Sequence, residues 1–389
     1  MRKKGLFRRI LGFVFRPKEM AITAVAFLLI ALLRFVTFHV DAFNPIAKGL
    51  KGFSTTDIFY DMMKASPADT SSIITIVDIT NLHDRDSIAT ALEEIDALQP
   101  AAIDVDVVFE YPKEPVGDLH LVGAAATISN AVFSFKMMDP DREKGEFTRQ
   151  VHSFFAKDLD LTEGFVNVDR SMTRDIPLCL EMNGQAYPSV AAQMMQVIQG
   201  KPFDFQGHGK QPINFEPTVF RTIPYDSIQH YAQYITGHIV MFGGAHESID
   251  VLYTPLGQMY GIELLCYALK TLLEMNQQTD CTGWLFWLLT IVFSYIGVCL
   301  IMAYKAKVAS MRESLVSDIL HTIFVTSLVI FFLMMAYMTV GFWVFTLHRL
   351  NFNLTPTLSV LALCTTAADI LRITVKHISR KAYERLYNI

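Results

Sequence analysis

The chain has 389 residues, of which 52% are hydrophobic and 18% charged, and its formal net charge at pH 7 is −5. The apolar fraction is high for a purely soluble protein of this length. Basic residues cluster beside the apolar runs instead of forming a patch on a polar domain, which argues against nucleic acid as a partner.

Four apolar runs are long enough to cross a membrane. They occupy residues 20–40, 283–304, 319–345 and 354–371 and predict an α-helical membrane region of four spans. The first run is also compatible with a cleaved signal peptide. It is long for one, however, and no A-x-A cleavage site follows it, so we favour an uncleaved anchor.

Lysine and arginine residues orient these runs. They concentrate in segments 1–19, 305–318 and 372–389, which fall on one side if every run spans the bilayer. The positive-inside rule makes that side cytoplasmic. Both termini are therefore expected in the cytoplasm, and segment 41–282 outside it. The basic tail 372–389 is expected to lie on anionic membrane lipid, with docking of a separate effector as the alternative.

Strand-like and helical patterns alternate along the external segment. In chain order they predict a helix at 44–65, a strand at 72–79, a helix at 86–98, a strand at 101–109, a helix at 118–129, a strand at 131–136, paired strands at 164–168 and 176–180, a helix at 189–198, a strand at 237–244 and a helix at 261–274. Strand–helix–strand repeats of this spacing predict right-handed crossovers. The expected fold is an α/β domain with a mainly parallel sheet.

Acidic residues gather where these strands end. In a strand, Asp104 and Asp106 share one face because side chains alternate, and ligands of open α/β sheets bind outside the carboxyl ends of the strands. The candidate ligand-binding residues are Asp78, Asp104, Asp106, His246, Glu247 and Asp250.

A structural role is the main alternative for the strand-end aspartates, because such carboxylates often accept backbone N–H groups of the next loop. A Mg²⁺ or Ca²⁺ site formed by Asp78, Asp104 and Asp106 is a lesser alternative. We expect no resident metal and no cofactor.

Four segments carry a family resemblance: IITIVDIT at 73–80, AAIDVDVVF at 101–109, GFVNVDRSMTRDIPL at 164–178, and a fourth at 237–269. Their order resembles the CHASE type 2 domain, an extracytoplasmic sensory domain of bacterial histidine kinases, adenylate cyclases and serine/threonine kinases. The fourth segment implies structural turn residues Gly243, Gly244, Thr254, Pro255 and Gly261. The family's Trp-Pro-rich turn is replaced here by NLHDRDS at 81–87.

The resemblance implies a sensor subunit in the bacterial inner membrane, whose large domain the charge pattern places in the periplasm. No sizeable domain follows the last apolar run, so we expect no fused cytoplasmic output domain. Such a subunit binds an unknown signal outside and passes it through its helices to a separate signalling protein. The alternative is a non-enzymatic scaffold in an envelope protein complex. No catalytic motif is recognised, so we do not expect an enzyme. Dimerisation with a second copy is implied by the resemblance only.

Overall fold

The computed structural model describes residues 16–39, 55–65, 68–141, 146–168, 172–203, 209–247, 250–274, 279–280, 283–312, 319, 322–348, 350–351 and 353–387. The chain divides into two compact units. The helical unit combines Met1–Thr56 with Asp280–Ile389, and the α/β unit is Asp57–Thr279.

Helices and strands are numbered in chain order. The helices are α1 (Pro17–His39), α2 (Thr55–Met63), α3 (Arg85–Ala97), α4 (Pro115–Thr127), α5 (Ala156–Leu159), α6 (Val190–Gln199), α7 (Gly261–Leu273), α8 (Gly283–Ala309), α9 (Ile323–His348) and α10 (Thr355–Tyr387), with a 3₁₀ helix at Tyr225–Tyr234. The strands are β1 (Asp69–Asp78), β2 (Ala102–Val105), β3 (Ala131–Asp141), β4 (Glu146–Val151), β5 (Glu163–Phe165), β6 (Asp175–Pro177), β7 (Cys179–Met182), β8 (Gln185–Pro188), β9 (Lys210–Pro212), β10 (Thr218–Pro224), β11 (Ile239–Gly243), β12 (Val251–Thr254), β13 (Gly257–Tyr260), β14 (Thr279–Asp280) and β15 (Leu350–Asn351).

The main sheet of the α/β unit is seven-stranded, in the order β10-β1-β11-β2-β3-β4, with β5 also paired to β3. The pairs of β1 with β10 and β11, of β11 with β2, and of β3 with β2 and β5 are all parallel. Only β4 is antiparallel to its neighbour, because β3 continues past β2 and folds back as a hairpin. The prediction of an α/β domain with a mainly parallel sheet is confirmed.

One face of this sheet forms the main apolar core with α3, α4 and the 3₁₀ helix. Asp84 caps the N-terminus of helix α3, and its carboxylate accepts hydrogen bonds from the N–H groups of Asp86 and Ser87. Its Leu92 and Ile95 are fully buried in that core. Burying one such side chain contributes about 1.5–3 kcal/mol, so this layer holds the strands in register.

Helices α6 and α7 contact strands β2, β3, β5 and β11. Because Ile103 and Val105 of β2 belong to the main core, strand alternation turns Asp104 toward the opposite face. That face is the one that carries the acidic residues identified in the sequence.

Three helices among the described residues are long and apolar enough to cross a membrane: Gly283–Ala309, Phe324–His348 and Thr355–Ile378. The first predicted run is helical, as α1, but is not among these three, so the fourth span stays a prediction. Helix α10 continues beyond residue 371, the predicted end of the last span, to Tyr387. The end of the span itself stays a prediction.

Helix α1 packs against other helices of its own unit. Ile22 and Ala26 are fully buried in a cluster with Val298, Val360 and Leu361 of α8 and α10. The backbone N–H of Arg16 also donates to the hydroxyl of Tyr295, at 3.1 Å.

A glycine sets the distance between β5 and α6. A Cβ on Gly164 would lie 2.5 Å from the Cα of Val190 and 2.6 Å from its nitrogen. Both atoms belong to backbone, so an added methyl group cannot be accommodated by a side-chain rotation. We expect Gly164→Ala to lower the unfolding free energy by about 1–3 kcal/mol, measured as a lower melting temperature of the purified full chain.

Gly123→Ala is the matched control. Gly123 lies in α4 with nothing within 4 Å of the added Cβ, and alanine is the better helix former. Its melting temperature should be unchanged or slightly raised. Equal melting temperatures for the two variants would show that β5 and α6 do not need this close approach.

Candidate functional site

Three neighbouring strands of the α/β unit end at the same edge of the sheet. Asp78, the last residue of β1, stands opposite Gly243, the last residue of β11. The N–H of Ile79 donates to the carbonyl of Gly243 at 3.1 Å, and the N–H of Asp106 donates to Phe242 at 2.9 Å. Parallel pairing therefore places the acidic residues at the ends of β1 and β2 on either side of the glycine pair at the end of β11.

Asp78 ties the loop after β11 to the end of β1. Its Oδ1 accepts from the backbone N–H of Thr80 at 2.9 Å and from that of Ala245 at 3.0 Å. Its Oδ2 lies 3.1 Å from Nδ1 of His246. Burial by itself would raise the pKa of Asp78, but the hydrogen bond from the Thr80 hydroxyl, together with those from Ala245, the Thr80 backbone and His246, outweighs it and lowers the pKa below its ordinary value. Asp78 and His246 thus join the end of β1 to the loop after β11.

A cavity of about 480 Å³ opens beside this edge. We call it the strand-end cavity. Its walls come from the segments that follow β2 and β5, the middle of β3, the loop after β11, β12, and the start of α7. The charged and amide side chains on its wall are Asp106, Lys136, Asn167, Glu247 and Asp250, and the others are mostly apolar.

Asp104 and Asp106 differ in their surroundings. Asp104 is 0% exposed, and neither of its carboxylate oxygens has a hydrogen-bond partner among the described residues. Burial, reinforced by the charge of Asp106, raises the pKa of Asp104 well above its ordinary value. The direction of this change reflects the cost of placing an unpaired charge in the protein interior.

Asp106 lines the strand-end cavity. Its Oδ1 lies 3.4 Å from the Ser134 hydroxyl, which donates to it. Burial and the nearby carboxylate of Asp250 raise the pKa of Asp106 to about 7, although Lys136 acts in the opposite direction. A group with this pKa changes its charge near neutral pH.

The turn residues bring Asp250 to the cavity. The N–H of Gly261 donates to the carbonyl of Asp250 at 3.0 Å, and a Cβ on Gly261 would overlap the Asp250 carboxylate. The hairpin of β12 and β13 turns at Pro255. There the Thr254 hydroxyl accepts from the N–H of Leu256 at 3.2 Å and donates to the carbonyl of Gly257 at 3.0 Å.

Of the six sequence candidates, the structure places Asp106, Glu247 and Asp250 on the cavity wall. Glycines 244 and 261 also line it, and Gly243 lies directly against Asp106. No group of three or more His, Cys, Asp or Glu residues in the described part of the chain is arranged to hold a metal ion.

Two wall residues were missed from the sequence. Lys136 is two residues from Ser134 and four from Val132 along β3, so these three side chains share one face of the sheet, the face of Asp106. Strand periodicity in the sequence could have revealed this. Asn167 has no such signal. Its side-chain amide exchanges two hydrogen bonds with the backbone of Met137, at 2.7 and 2.8 Å, a pairing that depends on the tertiary fold.

The family of the chain follows from a sequence comparison. A family model described as the CHASE2 domain matches residues 25–303, more than half of the chain. The chain belongs to the CHASE2 family. No curated protein and no solved structure matches it. The CHASE2 match covers the α/β unit and extends into α1 and α8, which identifies a membrane protein with a sensory domain outside the membrane.

The raised pKa of Asp106 makes stability depend on pH. Between about pH 4 and about pH 7 the folded protein retains a proton on Asp106 that the unfolded chain releases, so stability falls as pH rises through this window. Asp106→Asn removes the effect. From about pH 5 to about pH 8, we expect the melting temperature of the wild type to fall relative to that of the variant by about 3–6 °C.

Glu110→Gln serves as the control for this titration, because Glu110 is exposed. Its melting temperature should follow the wild type at both pH values. A wild-type pH dependence identical to that of Asp106→Asn would mean that Asp106 titrates as an ordinary carboxyl group.

Proposed function

We propose that this CHASE2 protein is a membrane-anchored sensor subunit of the bacterial inner membrane, which binds a small ligand in the strand-end cavity and passes the signal to a separate effector. The observation that supports this most directly is the cavity itself. It lies at the carboxyl ends of a parallel sheet, where α/β folds bind ligands, and within the segment matched by the sensory family.

The charges on the wall favour a ligand with a positively charged group. Three carboxylates, on Asp106, Glu247 and Asp250, face one ammonium group, on Lys136. A bound cation would favour the ionised form of Asp106, whose pKa lies near 7 in the empty cavity. Ligand binding would therefore release a proton and strengthen as pH rises.

The helical unit supports the proposal of four spans. Helix α1 buries Ile22 and Ala26 against α8 and α10, both of which are membrane-type helices. With α1 as the fourth span, the basic segments 1–19, 305–318 and 372–389 share one side, which the positive-inside rule makes cytoplasmic. The α/β unit would then lie in the periplasm.

The output is proposed to leave through these helices. Helix α7 ends at Leu273 and α8 begins at Gly283, so the two are joined by a short connection through which movement of α7 can reach the membrane. The proposed partners are a separate signalling protein and a second copy of the chain, and the proposed activity is non-enzymatic.

The test uses the full chain in uncharged detergent with 1,4-diaminobutane as a cationic probe and 1,4-butanediol as its neutral match. The diamine should raise the melting temperature and the diol should not. The double variant Glu247→Gln with Asp250→Asn should weaken diamine binding by about tenfold or more, because it leaves the cation without its charged partners. Glu110→Gln should bind as the wild type does.

Divalent cations separate this proposal from a metal site. Mg²⁺ and Ca²⁺ are added to the same protein. If either ion raises the melting temperature more than the diamine does, the cavity is a metal site and not a site for an organic cation. Diamine binding that survives in the double variant, or stabilisation by the diol equal to that by the diamine, would overturn the assignment of the cavity.

A further inference from the structure

A second cavity, of about 760 Å³, lies wholly within the helical unit. We call it the helix-end cavity. Residues of α1, α8, α9 and α10 line it. Its charged side chains are Lys18, Glu19, Lys305, Asp369, Arg372 and Lys376.

The four helices meet at this cavity by particular ends. Lys18 is in the first turn of α1, Lys305 near the end of α8, and Thr326 in the first turn of α9. Arg372 lies beyond the middle of α10. These are the ends that the distribution of lysine and arginine assigns to one side of the membrane. The cavity therefore lies at one level of the helical unit, at its basic end.

The two acidic residues of the cavity each have an arginine partner. Asp369 lies 3.4 Å from Arg372, and Glu19 lies 3.8 Å from Arg16. In the described part of the chain, Lys18, Lys305 and Lys376 have no carboxylate within ion-pair distance. Three ammonium groups thus remain available to one anion.

The rest of the wall is mostly apolar. Met302 and Val308 of α8 and Leu371 and Val375 of α10 line the same cavity as the lysines. Free phosphate has no apolar group that could pack against these side chains. A phospholipid matches both parts of the wall, because its phosphate is anionic and its acyl chains are apolar.

We propose that the helix-end cavity binds one anionic phospholipid, with the phosphate held by Lys18, Lys305 and Lys376 and an acyl chain lying along the apolar wall. Basic pockets between membrane helices suit anionic headgroups because each lysine adds an attraction that water screens only in part. The bound lipid would join the basic ends of four helices that carry several like charges.

The experiment measures the melting temperature of the full chain in uncharged detergent. Phosphatidylglycerol is compared with phosphatidylcholine of the same acyl chains and with inorganic phosphate. The anionic lipid should raise the melting temperature well above the other two additions. An equal effect of both lipids would overturn the headgroup assignment, and an equal effect of inorganic phosphate would overturn the lipid.

Two double variants test the residues. Lys305→Gln with Lys376→Gln removes two cavity lysines and should reduce the affinity for phosphatidylglycerol by about tenfold or more. The double variant Lys307→Gln with Arg312→Gln removes two charges from the same basic end of the helical unit but outside the cavity wall. It should bind the lipid as the wild type does. Equal losses in both would indicate non-specific attraction to an anionic surface and would overturn the site.

The double variant Lys305→Arg with Lys376→Arg is the control for misfolding of the glutamine variant. It keeps both charges and should retain the preference for phosphatidylglycerol. If it folds but loses that preference to the same extent as the glutamine variant, the positive charges are not what binds the lipid.

Discussion

The Asp78 carboxylate holds the functional edge of the α/β unit together. It accepts backbone N–H groups from Thr80 on its own strand end and from Ala245 in the loop after β11. Hydrogen bonds to a charged group contribute about 1.5–3 kcal/mol each, so removing this carboxylate would weaken the attachment of the loop to β1. Because Glu247 follows directly in that loop, its position at the strand-end cavity depends on Asp78 even though Asp78 does not line the cavity.

Asp104 is the feature that an ordinary core would not contain. A fully buried carboxyl group without a hydrogen-bond partner among the described residues costs stability whether or not it is charged. Natural folds accept such conflicts mainly where a site needs them. Asp106, which lines the strand-end cavity, lies close enough that its charge raises the pKa of Asp104.

The features that depend on residue periodicity were predicted from the sequence. The β-branched segments at β1, β2 and β11 indicated a parallel sheet, and strand alternation alone predicted that Asp104 and Asp106 share one face. Strand β10 was not predicted, although Phe220 and Ile223 are buried, because Arg221 interrupts its apolar pattern and Pro224 ends it. The hairpin of β3 and β4 was also missed, since Pro140 within β3 argues against a strand interior.

Other features depend on contacts between distant parts of the chain. Asn167 forms a hydrogen bond with Met137, 30 residues away in the sequence. Lys18 and Lys305 line one cavity because α1 and α8 both contribute to its wall. The sequence showed which side chains were charged and on which predicted strand face they stood. It did not show which of them share a cavity, because that depends on how neighbouring strands and helices pack.

The central claim is that the strand-end cavity is acidic and open to the outside of the membrane. The most direct measurement is the rate at which membrane-impermeant thiosulfonate reagents modify Glu247→Cys in cells with a permeabilised outer membrane, with the native cysteines replaced. Asp106 and Asp250 remain on the wall, so the cationic reagent should react at least several-fold faster than the anionic one, while Lys307→Cys should react only after the inner membrane is broken. Modification of Glu247→Cys only after lysis, or faster reaction with the anionic reagent, would contradict the claim.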